Sequence, residues 1–349
     1  MIISKNSDPY PFISVIITCF NYENFVSEAI ISAVSQSYPN KEVVVVDDLS
    51  TDGSVLMIKE HLENIRLIIN NTENHGPLNS CMLGLKSCKG DFILFLDADD
   101  LLADGALEVI ANNCKPDVSK IQFPLVPIDK NGQVIGEEFP KIPVGKSSRD
   151  FIESIERVGY YNSPPTSGNV FNKNIFSIIG EISYDRAVDG ITLLIAPYLG
   201  QVVTLKSQGF YRVHSSNISS FYSAAPEKFS FDIERFINRH NHLNDLLQSN
   251  GLKRECNKRP EQFAYFHERR FLFDVTRRSR KSIFTLFNLL YCLKKENASL
   301  IKVSVYFVWG ILACLLPLRA GIIAMRTNPW NRNLYIKRAK VLFHRHWNQ

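Results

Sequence analysis

The run ISVIITC at residues 13–19, the segment ENFVSEAIISAVSQ at 23–36 and the run EVVVVD at 42–47 decide how this chain folds. The first and third are continuous, apolar and rich in β-branched residues over a strand's length. The middle segment sets Phe25, Val26, Ala29, Ile30, Ala33 and Val34 at helical spacing. The alternation then repeats: helical spacing at Val55, Ile58 and Leu62, the strand RLIIN at 66–70, a helix near 78–88, and DFILFL at 91–96. Strands apolar on both faces and joined by helices predict an α/β fold with a mostly parallel sheet flanked by helices. Ligands in such sheets bind at the carboxyl ends of the strands, so the polar residues there are the ones to weigh.

Three strand ends carry unusual side chains: Thr18-Cys19-Phe20-Asn21-Tyr22, Asp47-Asp48, and Asp97-Ala98-Asp99-Asp100. Ser50, Thr51 and Asp52 fit a turn and helix cap, because short polar side chains take up free N–H groups. Capping does not account for both Asp47 and Asp48. Three carboxylates within four residues repel one another unless a cation or solvent compensates them. An oxygen-only donor set suits Mg²⁺ or Mn²⁺ shared with phosphates, while a solvated acidic turn capping the next helix is the plainer alternative.

The stretch SVIITCFNYENFVSEAIISAVSQSYPNKEVVVVDDLSTDGS, followed by GDFILFLDADD, resembles glycosyltransferase family 2, the inverting nucleotide-sugar enzymes of the GT-A fold. The resemblance is dense over about the first 105 residues and recurs in islands to about 220. It implies a Rossmann-like GT-A sheet, a nucleotide-sugar donor, most simply a UDP-sugar, and Mn²⁺ or Mg²⁺. Carried over by position, Thr18 and Phe20 border the nucleobase, and Asp48 contacts it with Asp47 alongside. Asp97 and Asp99 form the D-x-D element, the first toward the ribose and the second toward the metal-bound diphosphate. Asn74 and Gly76 fit the family's Asn-x-Gly loop. One departure is that Ser80-Cys81-Met82 stands where the family usually has Ala-Arg-Asn.

Residues 117–145 read as β-ribbon and loop without chemistry. In NSPPTSGNVFNKNIF (162–176), Pro164-Pro165 forbids a helix and Ser167-Gly168-Asn169 permits close backbone approach. This segment resembles the acceptor side of the family's cleft, although a rigid loop capping a helix fits it equally. In YDRAVDGITLLIAPYLG (184–200), the family's acidic pair is reduced to Val188-Asp189. The resemblance makes Asp189 the catalytic base, with Asp185 in reserve. Tyr211-Arg212-x-His214 resembles an element near the diphosphate or metal, which assigns Arg212 to the donor and His214 to the metal; a merely structural histidine is the alternative.

The composition, 45% hydrophobic and 21% charged, excludes a disordered chain, and near-average Gly and Pro exclude a collagen-like one. Seven cysteines without a C-x-x-C pair exclude a thiolate zinc site and a disulfide scaffold, which favours a reducing compartment. The N-terminus shows no signal-peptide pattern. From Lys253 onward there are 20 Lys+Arg against 5 Asp+Glu, about +15, whereas residues 1–252 carry about −10. The predicted organisation is a catalytic domain at 1–225, with a nucleotide-sugar part at about 1–105 and an acceptor part at about 106–225. A helical basic region at 226–300 and an apolar helix with a basic tail at 301–349 complete it. VSVYFVWGILACLLPL (303–318) is short for a membrane span, so an interfacial or re-entrant helix is favoured over a full span, with a buried helix at a subunit or domain contact as the alternative. Trp309, Trp330, Trp347 and the basic flanks favour an anionic membrane surface over nucleic acid, for which no module is present. The expected protein is cytoplasmic, peripheral or monotopic at the cytoplasmic membrane face, with a glycan or lipid-linked acceptor and room for homo-oligomers. A non-catalytic nucleotide-sugar binder or membrane scaffold of the same fold is the alternative.

Overall fold

The computed structural model describes residues 10–70, 74, 76–214, 226–252 and 258–315. The expectations placed on Trp330, Trp347 and the basic tail fall outside these residues. The chain divides into two compact units. One comprises Met1–Glu153, Asn162–Val213 and Leu246–Leu252, and the other Ser154–Tyr161, His214–Asp245 and Lys253–Gln349.

The first unit opens with β1 (Ile13–Cys19), α1 (Val26–Val34), β2 (Lys41–Asp47), α2 (Ser54–Lys59), β3 (Arg66–Ile69), α3 (Gly76–Ser87) and β4 (Phe92–Asp97). The chain continues through β5 (Leu101–Leu102), α4 (Ala106–Ala111), β6 (Val118–Gln122), β7 (Val126–Ile128) and α5 (Ser148–Val158). Then come β8 (Asn169–Asn172), α6 (Asn174–Ile179), α7 (Asp189–Leu199), β9 (Gln201–Thr204) and β10 (Gly209–Arg212). Seven strands form one sheet in the order β3-β2-β1-β4-β8-β6-β9, and β5-β10-β7 form a small second sheet. β1 pairs in parallel with both β2 and β4, whereas β8 runs antiparallel to β4 and β6, so the sheet is mixed.

The central strands are apolar on both faces because both are covered. Ile13, Val15 and Ile17 of β1 pack with Val26, Ala29, Ile30 and Ala33 of α1 in one core. On the other face α3 approaches so closely that a Cβ on Gly84 would lie 2.5 Å from Ile16 Cγ2, so only glycine fits there. The register sets Thr18 between Val46 of β2 and Asp97 of β4, which brings the three polar strand ends to one edge.

After β10 the chain forms α8 (Pro226–Ser249), and the second unit adds α9 (Ala264–Thr276), α10 (Ser282–Lys295) and α11 (Leu300–Leu315). Within the helical basic region expected at 226–300, α9 and α10 are separated where Arg278 takes a positive φ of 52° and Ser279 N–H bonds the Asp274 carbonyl. Trp309, expected at a membrane surface, is instead buried against Phe271 and Tyr306. Among the described residues no helix is long and apolar enough to cross a membrane.

Candidate active site

The loops after β1 and β2 are stitched together by their own side chains. Tyr22 N–H donates to Ser54 Oγ (2.8 Å), Glu23 N–H to Asp52 Oδ2 (3.1 Å), and Thr51 N–H to Asn21 Oδ1 (2.8 Å). Ser50, Thr51 and Asp52 are therefore turn-formers, as their cap chemistry suggests. Asp47 is fully buried; its Oδ2 accepts the Ser50 N–H, while Oδ1 is buried without a hydrogen-bond partner. Asp48 accepts from Asn70 Nδ2 (2.9 Å) and from Gly76 N–H (2.8 Å) at the start of α3, and Asn74 Nδ2 donates to its carbonyl. Phe20 stands 43% exposed just past the end of β1.

The acidic cluster at the end of β4 is tied to the 163–169 loop. Asp97 N–H donates to Ser167 Oγ (3.1 Å), and the same hydroxyl donates to Asp100 Oδ2 (2.6 Å). Gly168 is required beside it, since a Cβ would lie 2.5 Å from the Phe123 carbonyl oxygen. Asn169 Nδ2 holds the Pro164 and Pro165 carbonyls, and Thr166 Oγ1 donates to Asp189 Oδ2 at 3.4 Å. Asp189 opens α7, where the helix N-terminus favours a carboxylate. Asp185, the reserve base, accepts the N–H groups of Arg186 and Ala187 and so shapes the turn ahead of that helix.

Electrostatics bring these elements together. Burial, then Asp99, then Asp189 push the Asp97 carboxyl up to about 7. The tyrosine hydroxyl of Tyr22 is raised by burial and by Asp99, Asp97 and Asp100. Cys81, at the position of the expected arginine, is buried, and its thiol is pushed up by burial and by Asp97 and Asp189; Thr18 hydrogen-bonds it. Among the described residues no group of three or more His, Cys, Asp or Glu could hold a metal alone. A divalent cation that shares its ligands with substrate phosphates needs only one or two carboxylates, and the mutually repelling Asp97 and Asp99 fit that demand.

Two residues take on duties the sequence did not suggest. Arg212 was assigned to the donor, yet its guanidinium is fully buried and turned to protein acceptors. Nε donates to the Asp99 carbonyl (2.9 Å), an NH group to the Lys130 carbonyl (3.1 Å), and another to Glu28 (2.6 Å), with the plane over Phe25. Its backbone N–H also donates to Asp100 Oδ1 (2.9 Å), so Arg212 braces the acidic turn from behind. Lys120 on β6 is fully buried, donating to Gln122 Oε1 (2.7 Å) and Ser163 Oγ (2.9 Å). Burial pulls its pKa far down, and Asp189 opposes this. Reading 117–145 as empty of chemistry missed it; a lysine between the apolar Val118 and Ile121 was the available signal. His214 follows Arg212 by two residues, past the end of β10 and in the second unit.

A mixed sheet with acidic strand ends of this kind has the architecture of GT-A transferases. The crystal structure of S. aureus TarS 1-349 with UDP-GlcNAc superposes with a TM-score of 0.57 at 17% identity, covering 93% of this chain and 92% of that one. The mannosyltransferase PcManGT of Pyrobaculum calidifontis, solved with GDP-Man and Mn²⁺, gives a TM-score of 0.50 at 17% identity, covering 95% and 91%. Residues 14–153 match the model described as Glycosyl transferase family 2. In sequence, an uncharacterized glycosyltransferase of Nostoc sp. is 29% identical over 246 residues, 67% of this chain and 75% of that protein. The poly(ribitol-phosphate) β-N-acetylglucosaminyltransferase TarS of S. aureus is 34% identical over 93 residues, 26% of this chain but 16% of that protein.

Proposed function

We propose that this protein is an inverting glycosyltransferase. It moves a sugar from a nucleotide-sugar donor, with UDP-sugars the expected class, to a hydroxyl of a glycan or lipid-linked acceptor in cell-surface polysaccharide synthesis. One observation carries the reading: Asp189 at the start of α7 lies within electrostatic reach of Asp97 at the end of β4, although 92 positions separate them in sequence. A donor-side carboxylate and a carboxylate suited to proton transfer thus lie close together, Asp189 bonded to Thr166 and the Asp97 N–H to the adjacent Ser167. The names of the polymer-modifying relatives support a surface-polymer acceptor.

In this mechanism Phe20 and Thr18 border the base, Asp48 and Asp47 fix the nucleoside, and Asp97 meets the ribose. Mn²⁺ or Mg²⁺, held by Asp99, would supply charge neutralisation for the departing diphosphate. Asp189 accepts the acceptor hydroxyl's proton as oxygen attacks the anomeric carbon from the face opposite the nucleotide. One displacement inverts the configuration and needs no covalent nucleophile. Thr166 orients the Asp189 carboxylate, Ser167-Gly168-Asn169 line the acceptor side, and Arg212 keeps the acidic turn in place rather than touching phosphate. The enzyme works at the cytoplasmic face of an anionic membrane.

A thermal-shift screen of nucleoside diphosphates and sugar nucleotides, with and without Mn²⁺, tests the reading, because a ligand of the native state raises the melting temperature. Uridine nucleotides with Mn²⁺ are expected to give the largest shift. If no nucleotide shifts the transition under any condition, the reading is wrong.

A further inference from the structure

Half of the large apolar side chains left exposed among the described residues, ten of twenty, lie between Ile283 and Leu315. Scattered exposed apolar residues are ordinary, but such concentration marks an interaction surface. α10 and α11 are each two-faced. Leu286, Leu289 and Cys292 of α10 pack with Tyr306, Trp309 and Ala313 of α11 in the core of the second unit. A Cβ on Gly310 would come within 2.3 Å of Leu286, so the two helices touch closely. The opposite face of α10 presents Ile283, Phe284, Phe287 and Tyr291, spaced i, i+1, i+4 and i+8, with Phe284 69% exposed. α11 presents Leu300, Ile301, Phe307, Val308 and Leu315 along one stripe.

Charge decides what covers this surface. From Arg277 to Leu315 there are seven cations and one acid, and that acid, Glu296, is buried where it accepts the Ala264 N–H. Arg280 and Lys281 stand before the α10 stripe and Lys294 and Lys295 close it, with Lys295 Nζ 4.9 Å from the Tyr291 ring centroid. A second copy would set like charges against each other, and nucleic acid has no use for the aliphatic stripe. An anionic lipid surface satisfies both features: acyl chains take the apolar side chains, and headgroup phosphates take the cations.

We infer that the exposed faces of α10 and α11 form a monotopic lipid-docking platform, with the aromatic stripe of α10 seated at the headgroup–acyl boundary. This rests on the proposed membrane-face reaction and moves the main contact from 303–318 and the tail to a stripe beginning at Ile283. The test is flotation of the full chain with phosphatidylcholine vesicles and with phosphatidylcholine–phosphatidylglycerol vesicles at low and high salt. Uridine-diphosphate binding is measured in parallel as a control for folding and for the donor site. Wild type should float with anionic vesicles and only weakly with neutral ones. Phe284→Ser/Phe287→Ser should cut anionic binding about tenfold with nucleotide binding unchanged. Lys294→Glu/Lys295→Glu should remove the anionic preference. Failure of wild type to float at low salt, or an aromatic variant that floats like wild type, overturns the platform. So does a variant that converts a dimer to a monomer, since the face would then cover a second copy. Loss of nucleotide binding in wild type would count against the donor reading instead.

Discussion

Ser167 Oγ stands between Asp97 and Asp100, accepting the backbone N–H of the first at 3.1 Å and donating to the carboxylate of the second at 2.6 Å. One hydroxyl thereby couples the 163–169 loop to the acidic end of β4. Ser167→Ala leaves the buried Asp100 carboxylate short of a donor and the half-buried Asp97 N–H short of an acceptor. The expected cost is about 1–3 kcal/mol of stability. Chemical denaturation checks this; an unchanged midpoint would contradict it.

Asp97→Asn should stabilise the protein when no metal or donor is present. Its folded-state pKa, about 7, lies above the ordinary carboxylate value, so between roughly pH 4 and 7 the native state holds more protons than the unfolded one. Stability from this group is therefore present below pH 4 and lost as pH rises through 7. The variant should gain about 1–3 kcal/mol at pH 8, an advantage that shrinks toward pH 4. Melting curves in a chelator across that range decide it, and a pH-independent difference would refute the assignment.

Phe20→Ala should weaken nucleotide binding about tenfold, the order expected for one base–aromatic stack. The residue is partly exposed and lies outside the core cluster, so the melting temperature should move little. Equal affinity in calorimetric titration would remove Phe20 from the donor site.

Lys120→Met removes the buried amine that faces Asp189 and holds Ser163. The turnover number should fall about tenfold while the donor KM stays near wild type, because no donor-side carboxylate is touched. A selective rise in donor KM would instead put Lys120 on the nucleotide side.

The first four strands were legible because each is dominated by an apolar run closed by polar turn residues. ISVIITC at 13–19 is β1 without adjustment, and the ends of β2, β3 and β4 fall within a residue of expectation. Asp97 and Asp99 were legible for the same reason, as they follow directly on an apolar strand. The roles of Arg212 and Lys120 were not, because both depend on partners distant in sequence: Glu28 for the first, Ser163 and Asp189 for the second. Trp309 illustrates a further limit. An apolar run shows that a helix is buried or lipid-facing, but only packing on Phe271 and Tyr306 determines which face points inward.

The most direct measurement of the central claim is sugar transfer by Asp189→Asn, with donor affinity measured on the same preparation. Asn keeps the shape of the side chain and its place in the first turn of α7, but it cannot accept the proton. The account predicts that transfer falls at least about a hundredfold, the lower range for general-base catalysis, while Mn²⁺-dependent donor binding persists. Transfer at near wild-type rate by a correctly folded Asp189→Asn protein would contradict it.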